Sequence, residues 1–268
     1  MGRRLGGLCC ILLLCLATAQ AAPQTPYDPA LLLWYGELSP TQQQVFDLCY
    51  DAAGRGETTV ALPAHTAYDD ASLAVQALLQ DCPELSWLSR YYAIRYYQQN
   101  PDIAVQITLM YTGTPGEDAA LAAARTLAVS VTGSAEDKAL ALHDLLCQQT
   151  TYGEGTRSHD AFGALVEGAA VCDGYAAAYT LLCRMAGIRC GTVIGTATTP
   201  EGATGDHAWN LVDFGDWAML ADVTWDDQDK LGLILHDYYG MSGAEAEATH
   251  HAADFLPRPA CLAKETQP

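Results

Sequence analysis

The chain has 268 residues, of which 50% are hydrophobic and 17% are charged. This composition is typical of a globular protein with a packed core and excludes an intrinsically disordered one. Acidic residues outnumber basic residues by 32 to 13, which gives a net charge of −19. Because such a surface repels nucleic acid and anionic lipid, we expect no nucleic-acid partner and no stable membrane insertion.

Residues 1–21 have the pattern of a cleavable secretory signal peptide: two arginines, an apolar run over residues 8–16, and small residues at the end. The apolar run is about half the ~20 residues that a spanning helix needs, which argues against a transmembrane anchor. Cys15 leaves a lipoprotein as an alternative, but the bulky Leu14 before it does not suit that processing. We therefore expect a secreted or cell-surface protein. Its mature net charge is −21, because two of the 13 basic residues leave with the leader.

The leader is followed by seven cysteines: Cys49, Cys82, Cys147, Cys172, Cys183, Cys190 and Cys261. Export permits disulfide bonds. If Cys172 is set aside as a free thiol, six cysteines remain. An even number fits disulfide pairing, although several could equally be reduced core residues. No two of them have the close CxxC spacing of a zinc site, so we predict no metal and no cofactor.

After the leader, residues 22–35 are predicted to be a linker, because three prolines interrupt regular structure. An N-terminal α+β accessory region follows over residues 36–133. Its first helix begins with a capping box, in which Ser39 is the N-cap and Gln42 completes the box. Gly54 is expected to end this helix.

A short strand over residues 58–62 and a helix over residues 70–79 come next. Residues 91–97 and 103–111 are rich in β-forming residues and predict a β-hairpin. Four tyrosines in the first strand could form a ligand-binding face, but a half-buried strand pair is the more common outcome of this pattern. Two alanine-rich helices follow. The first covers residues 117–131, and the second is capped by Ser134 and continues to about residue 148.

Residues 134–268 are predicted to form the catalytic domain with a C-terminal tail. In it, helical character begins at Cys172 and ends at Gly187. The unpaired amides and the dipole of a helix N-terminus favour a thiolate at Cys172 and could bind a developing oxyanion. Asp173 opposes this effect with a nearby negative charge, so an activating partner is needed.

Two predicted strands, residues 207–212 and 217–224, supply that partner. A two-residue turn between them, Phe214-Gly215, would place His207 directly opposite Asp222. Facing residues on antiparallel strands lie about 4.5–5.5 Å apart at Cβ. At that distance a carboxylate can hold one imidazole nitrogen and leave the other for a thiol.

Four segments of this half resemble the transglutaminase-like superfamily, in its bacterial secreted branch: FGALVEG at 162–168, VCDGYA at 171–176, HAWN at 207–210 and DVTWDD at 222–227. The resemblance covers roughly residues 135–240. It implies an α+β fold with a papain-like core, in which a nucleophile helix packs on an antiparallel sheet, preceded here by the helical and β-hairpin region. It also implies that Cys172 is the nucleophile, His207 the base and acid, and Asp222 the residue that orients His207.

Members of this superfamily include protein crosslinkers, peptidases and amidases, and some have lost activity. We therefore expect a secreted cysteine-dependent acyl-transfer enzyme that acts on carboxamide or peptide bonds of proteins or peptides, cell-wall peptides included. Hydrolysis is favoured over crosslinking, because water is the default acceptor and the sequence has no evident amine site. The alternative is a catalytically silent binding module at the cell surface, which would use the tyrosine-rich hairpin and the acidic surface.

Three aromatic residues close in sequence to the triad, Tyr175, Trp209 and Trp225, are candidates for the substrate cleft, as is Asn210, although core packing is the more conservative interpretation. Tyr152 is a candidate for completing the oxyanion hole, with packing again favoured. Three later histidines could suggest a metal, but without a ligand at suitable spacing we interpret them as surface or structural residues: His236, His250 and His251.

Overall fold

The structure is a computed structural model that describes residues 27–228, 232–254, 256, 259 and 261. The predicted signal peptide, residues 1–21, lies outside the described residues. The helices are Pro40–Gly54 (α1), Tyr68–Asp81 (α2), Ala119–Ala128 (α3), Ala135–Gln149 (α4), Cys172–Met185 (α5), Val223–Asp226 (α6) and Gly243–Ala246 (α7). The strands are Thr59–Ala61 (β1), Leu88–Tyr97 (β2), Asn100–Tyr111 (β3), Thr151–Tyr152 (β4), Ala169–Ala170 (β5), Arg189–Thr198 (β6), Thr204–Asp213 (β7), Ala218–Ala221 (β8), Asp227–Gln228 (β9), Leu233–Ile234 (β10), Tyr239–Met241 (β11) and His250–Ala252 (β12).

A five-stranded antiparallel sheet forms the centre of the fold, with the strand order β11-β8-β7-β6-β12. Helix α5, which begins at Cys172, packs on strands β6 and β7. A smaller antiparallel sheet, β1-β3-β2, belongs to the N-terminal part of the chain. The predicted α+β class, with a helix that begins at the candidate nucleophile and packs on an antiparallel sheet, is confirmed.

Strand β7 is buried on both faces, and this burial joins the two halves of the chain. Its side chains alternate between two hydrophobic clusters. Trp209 and Leu211 pack with α1, α2 and the hairpin, whereas Val212 packs with α3, α4 and α5. Since successive side chains of a strand point to opposite faces, the N-terminal region covers one face of the central sheet and the helices α3–α5 cover the other.

The end of the predicted linker, residues 22–35, is part of this packing. Leu32 and Leu33 are fully buried. The buried carboxylate of Asp81 accepts hydrogen bonds from the backbone amides of Leu33 and Tyr35. The described end of this segment is therefore held in the core and does not act as a linker, because its apolar residues outweigh the effect of the prolines before it.

The predicted helix starts at Ser39 and Ser134 are both present as full capping boxes. The Ser39 hydroxyl accepts from the amide of Gln42, whose side chain accepts from the Ser39 amide, and Ser134 and Asp137 make the same pair of bonds. Helix α2 begins at Tyr68, two residues before the predicted start, and it has no side-chain cap. A helix start is therefore predicted most accurately where the sequence contains both residues of a capping box.

The predicted hairpin is present as β2 and β3, but its tyrosines are more exposed than expected. Tyr91 is 76% exposed, and Tyr96 and Tyr97 are 49% and 57% exposed. Tyr92 is partly buried, and its hydroxyl lies 3.3 Å from that of Ser72 on α2. The hairpin is therefore the half-buried strand pair that was expected, because α2 covers one of its faces and leaves the other, with three of the four tyrosines, in solvent.

Strand β6 was not predicted from the sequence, although it forms the longest pairing with β7. Two glycines interrupt its β-forming residues. At Gly195 a Cβ would lie 2.1 Å from the carbonyl oxygen of His251. The glycine is required because strand β12 passes close beside this point, and that contact is invisible in a local sequence pattern.

Six of the seven cysteines among the described residues are buried, and no disulfide bond joins these six to one another. In this structure the six therefore behave as core residues and not as disulfide partners. Within the described part of the chain, no helix is both long enough and apolar enough to cross a membrane.

A buried ion pair joins α5 to the N-terminal region. The guanidinium of Arg184, on α5, lies 3.7 Å from the carboxylate of Glu84, and both side chains are almost fully buried. A buried charge that loses its partner is costly, typically by about 3–5 kcal/mol, whereas replacing both partners by apolar residues is often neutral. This contact therefore makes the two regions interdependent.

We expect Arg184→Met to lower the free energy of unfolding by about 3–5 kcal/mol, because Glu84 is left as an unpaired buried charge. The double variant Arg184→Met/Glu84→Met should recover most of this loss. The exposed Arg55–Glu57 pair is the matched control, and Arg55→Met should leave the free energy of unfolding close to that of the wild type. Urea unfolding of the four proteins measures the difference, and equal losses in the single and double variants would contradict the assignment.

Candidate active site

Cys172 is the first residue of α5 and the one described cysteine that is not buried. Val171, the N-cap, is extended, and its amide donates to the carbonyl of Ser158. Gly174 makes this approach feasible, because a Cβ there would lie 2.3 Å from the same Ser158 carbonyl oxygen. The loop at Ser158 therefore fixes the start of the helix and presents the thiol at its N-terminus.

The negative charge of Asp173, which we expected to oppose a thiolate, is compensated. Its carboxylate forms an ion pair with Arg90 on β2 and lies 3.0 Å from Nδ1 of His159. Burial lowers the pKa of Arg90, and the charge of Cys172 is the largest opposing influence. Sequence reasoning missed Arg90, because it is 82 residues before Cys172 and carries no local motif.

His207, on β7, is brought to Asp222. Its Nε2 lies 2.6 Å from Oδ2 of Asp222, and this leaves Nδ1 for Cys172. His207 is 8% exposed and Asp222 is fully buried. The imidazole and the carboxylate predicted from the sequence are therefore in direct contact, and the second ring nitrogen is available to the thiol.

The strand register that produces this contact differs from the predicted one. Strands β7 and β8 pair Asn210 with Ala221, so the connecting loop is the four-residue segment 214–217. The predicted direct pairing of His207 with Asp222 is wrong by two positions. A shift of two keeps every side chain on its expected face, and for this reason the two groups still meet.

The longer loop has a physical cause in its own residues. The amide of Phe214 bonds to the carbonyl of Trp217, and their rings stack with centroids 4.5 Å apart. The Asp213 carboxylate accepts from the amide of Gly215, which has a φ of 94°. These contacts stabilise a four-residue loop in place of the two-residue turn.

Strand β8 is also shorter than the predicted strand over residues 217–224. It ends at Ala221, and Asp222 becomes the N-cap of the short helix α6, accepting from the amide of Trp225 at 3.2 Å. Asp222 therefore approaches His207 from the point where the strand turns into a helix. The signal in the sequence for the start of α6 was Asp222 itself, because aspartate is a common N-cap residue.

A second histidine contacts the same carboxylate. Nε2 of His250, on β12, lies 3.0 Å from Oδ2 of Asp222, and its Nδ1 lies 2.8 Å from the hydroxyl of Thr249. His250 is 3% exposed, so it is a buried residue of the site and not a surface residue. No sequence signal pointed to it, because its position depends on the pairing of β12 with β6.

The surroundings of His207 and Asp222 stabilise their charged forms. Burial lowers the pKa of His207, but hydrogen bonds and charge interactions with Asp222 and Cys172 outweigh burial and raise this pKa to about 9. Burial raises the pKa of Asp222, and the bonds and charges of His207 and His250 outweigh it, so the pKa lies below the ordinary value. At neutral pH the site therefore holds an imidazolium against a carboxylate.

The predicted cleft residues differ in their exposure. Tyr175 and Trp209 are buried, at 0% and 2%, which agrees with the core packing favoured for them over a position in the cleft. Tyr175 donates its hydroxyl hydrogen bond to Asp227, and Trp209 packs beneath His207 and His250. Large aromatic residues next to catalytic motifs thus serve here as the support of the site and not as its surface.

Asn210 is buried too, and its amide donates to the carbonyl of Ala176 and the hydroxyl of Thr180 on α5. Trp225 is partly buried and its ring lies 5.1 Å from that of His207. It lines an open cleft of about 620 Å³ together with His207 itself. Of the aromatic candidates from the sequence, Trp225 is the one on the cleft wall.

Tyr152 lines the same cleft and is 49% exposed, so it is not a packing residue. Burial is the main cause that raises the pKa of Tyr152, followed by the charges of Cys172, Glu154 and Asp222. The wall also includes three carboxylates, those of Glu201, Asp227 and Asp237. The cleft beside His207 is therefore aromatic and acidic.

Two clusters of described residues place possible metal ligands within 4.8 Å of one another: His143, Asp144 and His236, and the group His207, Asp222 and His250. No acidic partner for His236 or His250 was evident from sequence spacing, whereas the fold supplies Asp144 and Asp222. In both clusters the ring nitrogens bond to the carboxylates directly. A metal ion would have to replace these bonds.

The raised pKa of His207 predicts a pH-dependent part of the stability. Below pH 6.5, the pKa of this histidine in the unfolded chain, His207 is protonated in both the folded and the unfolded state, and its contribution to the free energy of unfolding is fully present. This contribution is lost as the pH rises to about 9 and beyond. A pKa raised by this amount corresponds to on the order of 3 kcal/mol.

We therefore expect the difference in unfolding free energy between the wild type and His207→Gln to shrink by on the order of 3 kcal/mol between about pH 6 and pH 10. Denaturant unfolding at several pH values measures it. His251→Gln, which changes an exposed histidine on the same strand as His250, is the control and should keep the wild-type pH profile. A difference that stays constant with pH would refute the proposed His207 interactions.

Comparison with known proteins bears on the same region. Residues 119–225 match the family model of the transglutaminase-like superfamily. No curated protein matches the chain. The matched segment includes α3, α4, α5 and the sheet strands up to Asp222, with all three residues of the predicted triad.

Several solved structures are similar in part. They include a TGase crystal structure, with 16% identity over 62% of this chain and 50% of that chain, and a TM-score of 0.37. A candidate cysteine protease from Cytophaga hutchinsonii has 16% identity over 54% of this chain and 64% of that one, with a TM-score of 0.33. The periplasmic domain of TgpA from Pseudomonas aeruginosa, bound to ethylmercury, has 17% identity over 50% of this chain and 60% of that one, with a TM-score of 0.33.

The chain spans between half and slightly less than two thirds of the length of these three structures. The assignment of the region therefore depends on the matched family model. Residues 119–225 of this chain are similar to the transglutaminase-like superfamily, whose members commonly have cysteine-dependent activity.

Proposed function

We propose that this protein is a secreted cysteine-dependent acyl-transfer enzyme that acts on carboxamide or peptide bonds of proteins or peptides, with Cys172 as nucleophile, His207 as base and acid, and Asp222 as the residue that orients His207. The observation that carries the proposal is the position of His207, which is hydrogen-bonded to Asp222 through Nε2 and is left with Nδ1 for Cys172, whose side chain raises the pKa of the imidazole. The signal-peptide pattern of residues 1–21 supports export.

In the proposed reaction His207 already holds the proton that the thiol of Cys172 has given up, and the thiolate sulfur attacks the carbonyl carbon of the substrate. The oxygen becomes an oxyanion beside the first amides of α5. Those of Cys172 and Asp173 are the candidate donors, because the amide of Gly174 already donates to the Asp173 side chain. The C–N bond then breaks, His207 gives its proton to the leaving amine, and a thioester remains on Cys172.

The thioester is resolved by water, which forms an acid, or by an amine, which forms a new amide; either step returns the proton to Cys172 through His207. The cleft beside His207 favours an amine acceptor. Its carboxylates Glu201 and Asp237 would attract an ammonium group, and the rings of Tyr152, Trp225 and Tyr238 would contact its alkyl chain. Transamidation is therefore a candidate alongside hydrolysis.

A binding module without catalysis is the competing function, and the exposed tyrosines of the hairpin favour it. Tyr91 and Tyr97 offer aromatic surface on β2. In that case any measured effect on a protein or cell-wall partner would persist in Cys172→Ala.

We expect the wild type to react with glutamine-containing peptides and to add a primary amine supplied in excess, whereas Cys172→Ala should be at least ~10³-fold less active, because the nucleophile is removed. Mass spectrometry distinguishes deamidated from amine-linked products. Cys147→Ala, at a buried cysteine, is the control and should stay active. Peptide conversion that is unchanged in Cys172→Ala would disprove the proposal.

Export has a test of its own. When the full chain is exported from expressing cells, mass spectrometry of the protein should show a chain without its leader.

Arg90 provides a separate test of the electrostatics. Removing its charge in Arg90→Gln leaves Asp173 uncompensated beside the thiol, so we expect iodoacetamide to alkylate Cys172 about five- to tenfold more slowly at pH 7, an effect of on the order of 1 kcal/mol. Arg95→Gln, on the same strand and also exposed, should keep the wild-type rate. Equal rates in both variants would show that Arg90 does not act on the thiol.

A further inference from the structure

A second cavity, of about 340 Å³, lies between the N-terminal region and the transglutaminase-like domain, and it is not the cleft beside His207. Residues from α2, from the segment 82–92, from the loop at 159–161, from α5 and from β6 line it. It shares no lining residue with the His207 cleft. Its volume is at the lower end of the ~300–1,000 Å³ that is usual for ligand sites, which suits one side chain and not an extended polymer.

This cavity begins beside the candidate nucleophile. Asp173, which follows Cys172, is on its wall, and so are Arg90 and His159, which bind the Asp173 carboxylate. The charge of Cys172 acts on Arg90. A substrate carbonyl held at the thiol would therefore have this cavity on one side and the His207 cleft on the other.

The roles proposed for the triad residues indicate which part of the substrate lies on each side of the thiol. His207 delivers the proton to the leaving amine, so the amine leaves, and any acceptor amine arrives, on the His207 side. The cavity has no contact with His207 or Trp225. It is therefore on the side of the acyl group, where the part of the substrate that stays bound to Cys172 must lie.

The walls define what the cavity can accept. They are mainly aliphatic, with contributions from Leu79, Leu85, Leu88, Ala161, Ala177 and Ile194. The larger polar groups among them are already engaged: Gln76 donates to Ser72, Gln80 donates to the Gln76 carbonyl, and the charges of Arg90 and Asp173 neutralise each other. The Ser86 hydroxyl is buried without a hydrogen-bond partner, but it carries no charge. A charged side chain would lose its water here without gaining a partner.

We propose that this cavity binds an uncharged apolar side chain, alkyl or aromatic, of a peptide acyl donor, next to the carboxamide that Cys172 attacks. The inference rests on the proposed acyl-transfer function. Much of the wall, residues 76–92, lies before the segment that matches the transglutaminase-like family model. The N-terminal region thus supplies the substrate selectivity of the domain that follows it.

Peptidyl chloromethyl ketones test this selectivity without requiring turnover, because they alkylate the active-site thiol. The probes are acetyl-Phe-Gly, acetyl-Gly-Phe, acetyl-Gly-Gly, acetyl-Lys-Gly and acetyl-Asp-Gly chloromethyl ketones. We expect one of the two Phe probes to label Cys172 at least tenfold faster than the Gly-Gly probe. The Lys and Asp probes should have no advantage over Gly-Gly.

The variant Ala177→Phe fills the cavity from α5. It should abolish the preference for the Phe probe and change the Gly-Gly rate by less than about threefold. Ala122→Phe, at an exposed position of α3, is the matched control and should keep the preference. If Ala177→Phe does not fold, Leu79→Ala, which widens the cavity, should lower the Phe to Gly-Gly ratio at least threefold.

The outcomes separate this inference from the proposed function. Labelling of Cys172 at equal rates by all five probes, or an equal loss for every probe in Ala177→Phe, would overturn the cavity assignment and leave the thiol enzyme intact. Probe labelling that is the same in Cys172→Ala would overturn both. A tenfold Phe preference that disappears in Ala177→Phe and persists in Ala122→Phe supports the assignment.

Discussion

A single buried carboxylate, that of Asp222, connects parts of the chain that are distant in sequence. It accepts from His207 on β7, from His250 on β12 and from the amide of Trp225 in α6, and the Asp222 amide itself donates to Tyr238 near β11. Since a buried carboxylate without donors would cost several kcal/mol, the fold is stable only when these segments meet around it. The imidazole of His207 is thus oriented by the hydrogen bonds that the buried carboxylate of Asp222 requires.

The elements that could be predicted from the sequence are those with local causes. The capping boxes at Ser39 and Ser134 and the helix start at Cys172 depend on residues within one turn of the helix. The contact of His207 with Asp222 was also predictable, although by an argument that was wrong in register. It succeeded because strand side chains alternate with a period of two, so an error of two positions changes the partner in the ladder but not the face.

What could not be predicted depends on contacts between distant segments. His250 reaches the site because β12 pairs with β6, and Arg90 reaches it because the hairpin lies beside the start of α5. Neither residue has a neighbour in sequence that indicates its role. Tyr175 and Trp209 show the converse, since their nearness in sequence to the triad suggested a cleft, whereas the two-sided burial of the sheet made them core residues.

The buried pair of Arg184 and Glu84 has a consequence for how this protein can be divided. The segment 119–225 has a recognisable family pattern, but α5 within it carries a guanidinium whose counter-charge lies in the preceding region. Trp209 and Leu211 on β7 likewise face apolar residues of that region. An excised domain would expose an apolar sheet face and an unpaired arginine. The unit that folds, and that can be inherited or transplanted as a working module, is therefore larger than the unit that sequence similarity defines.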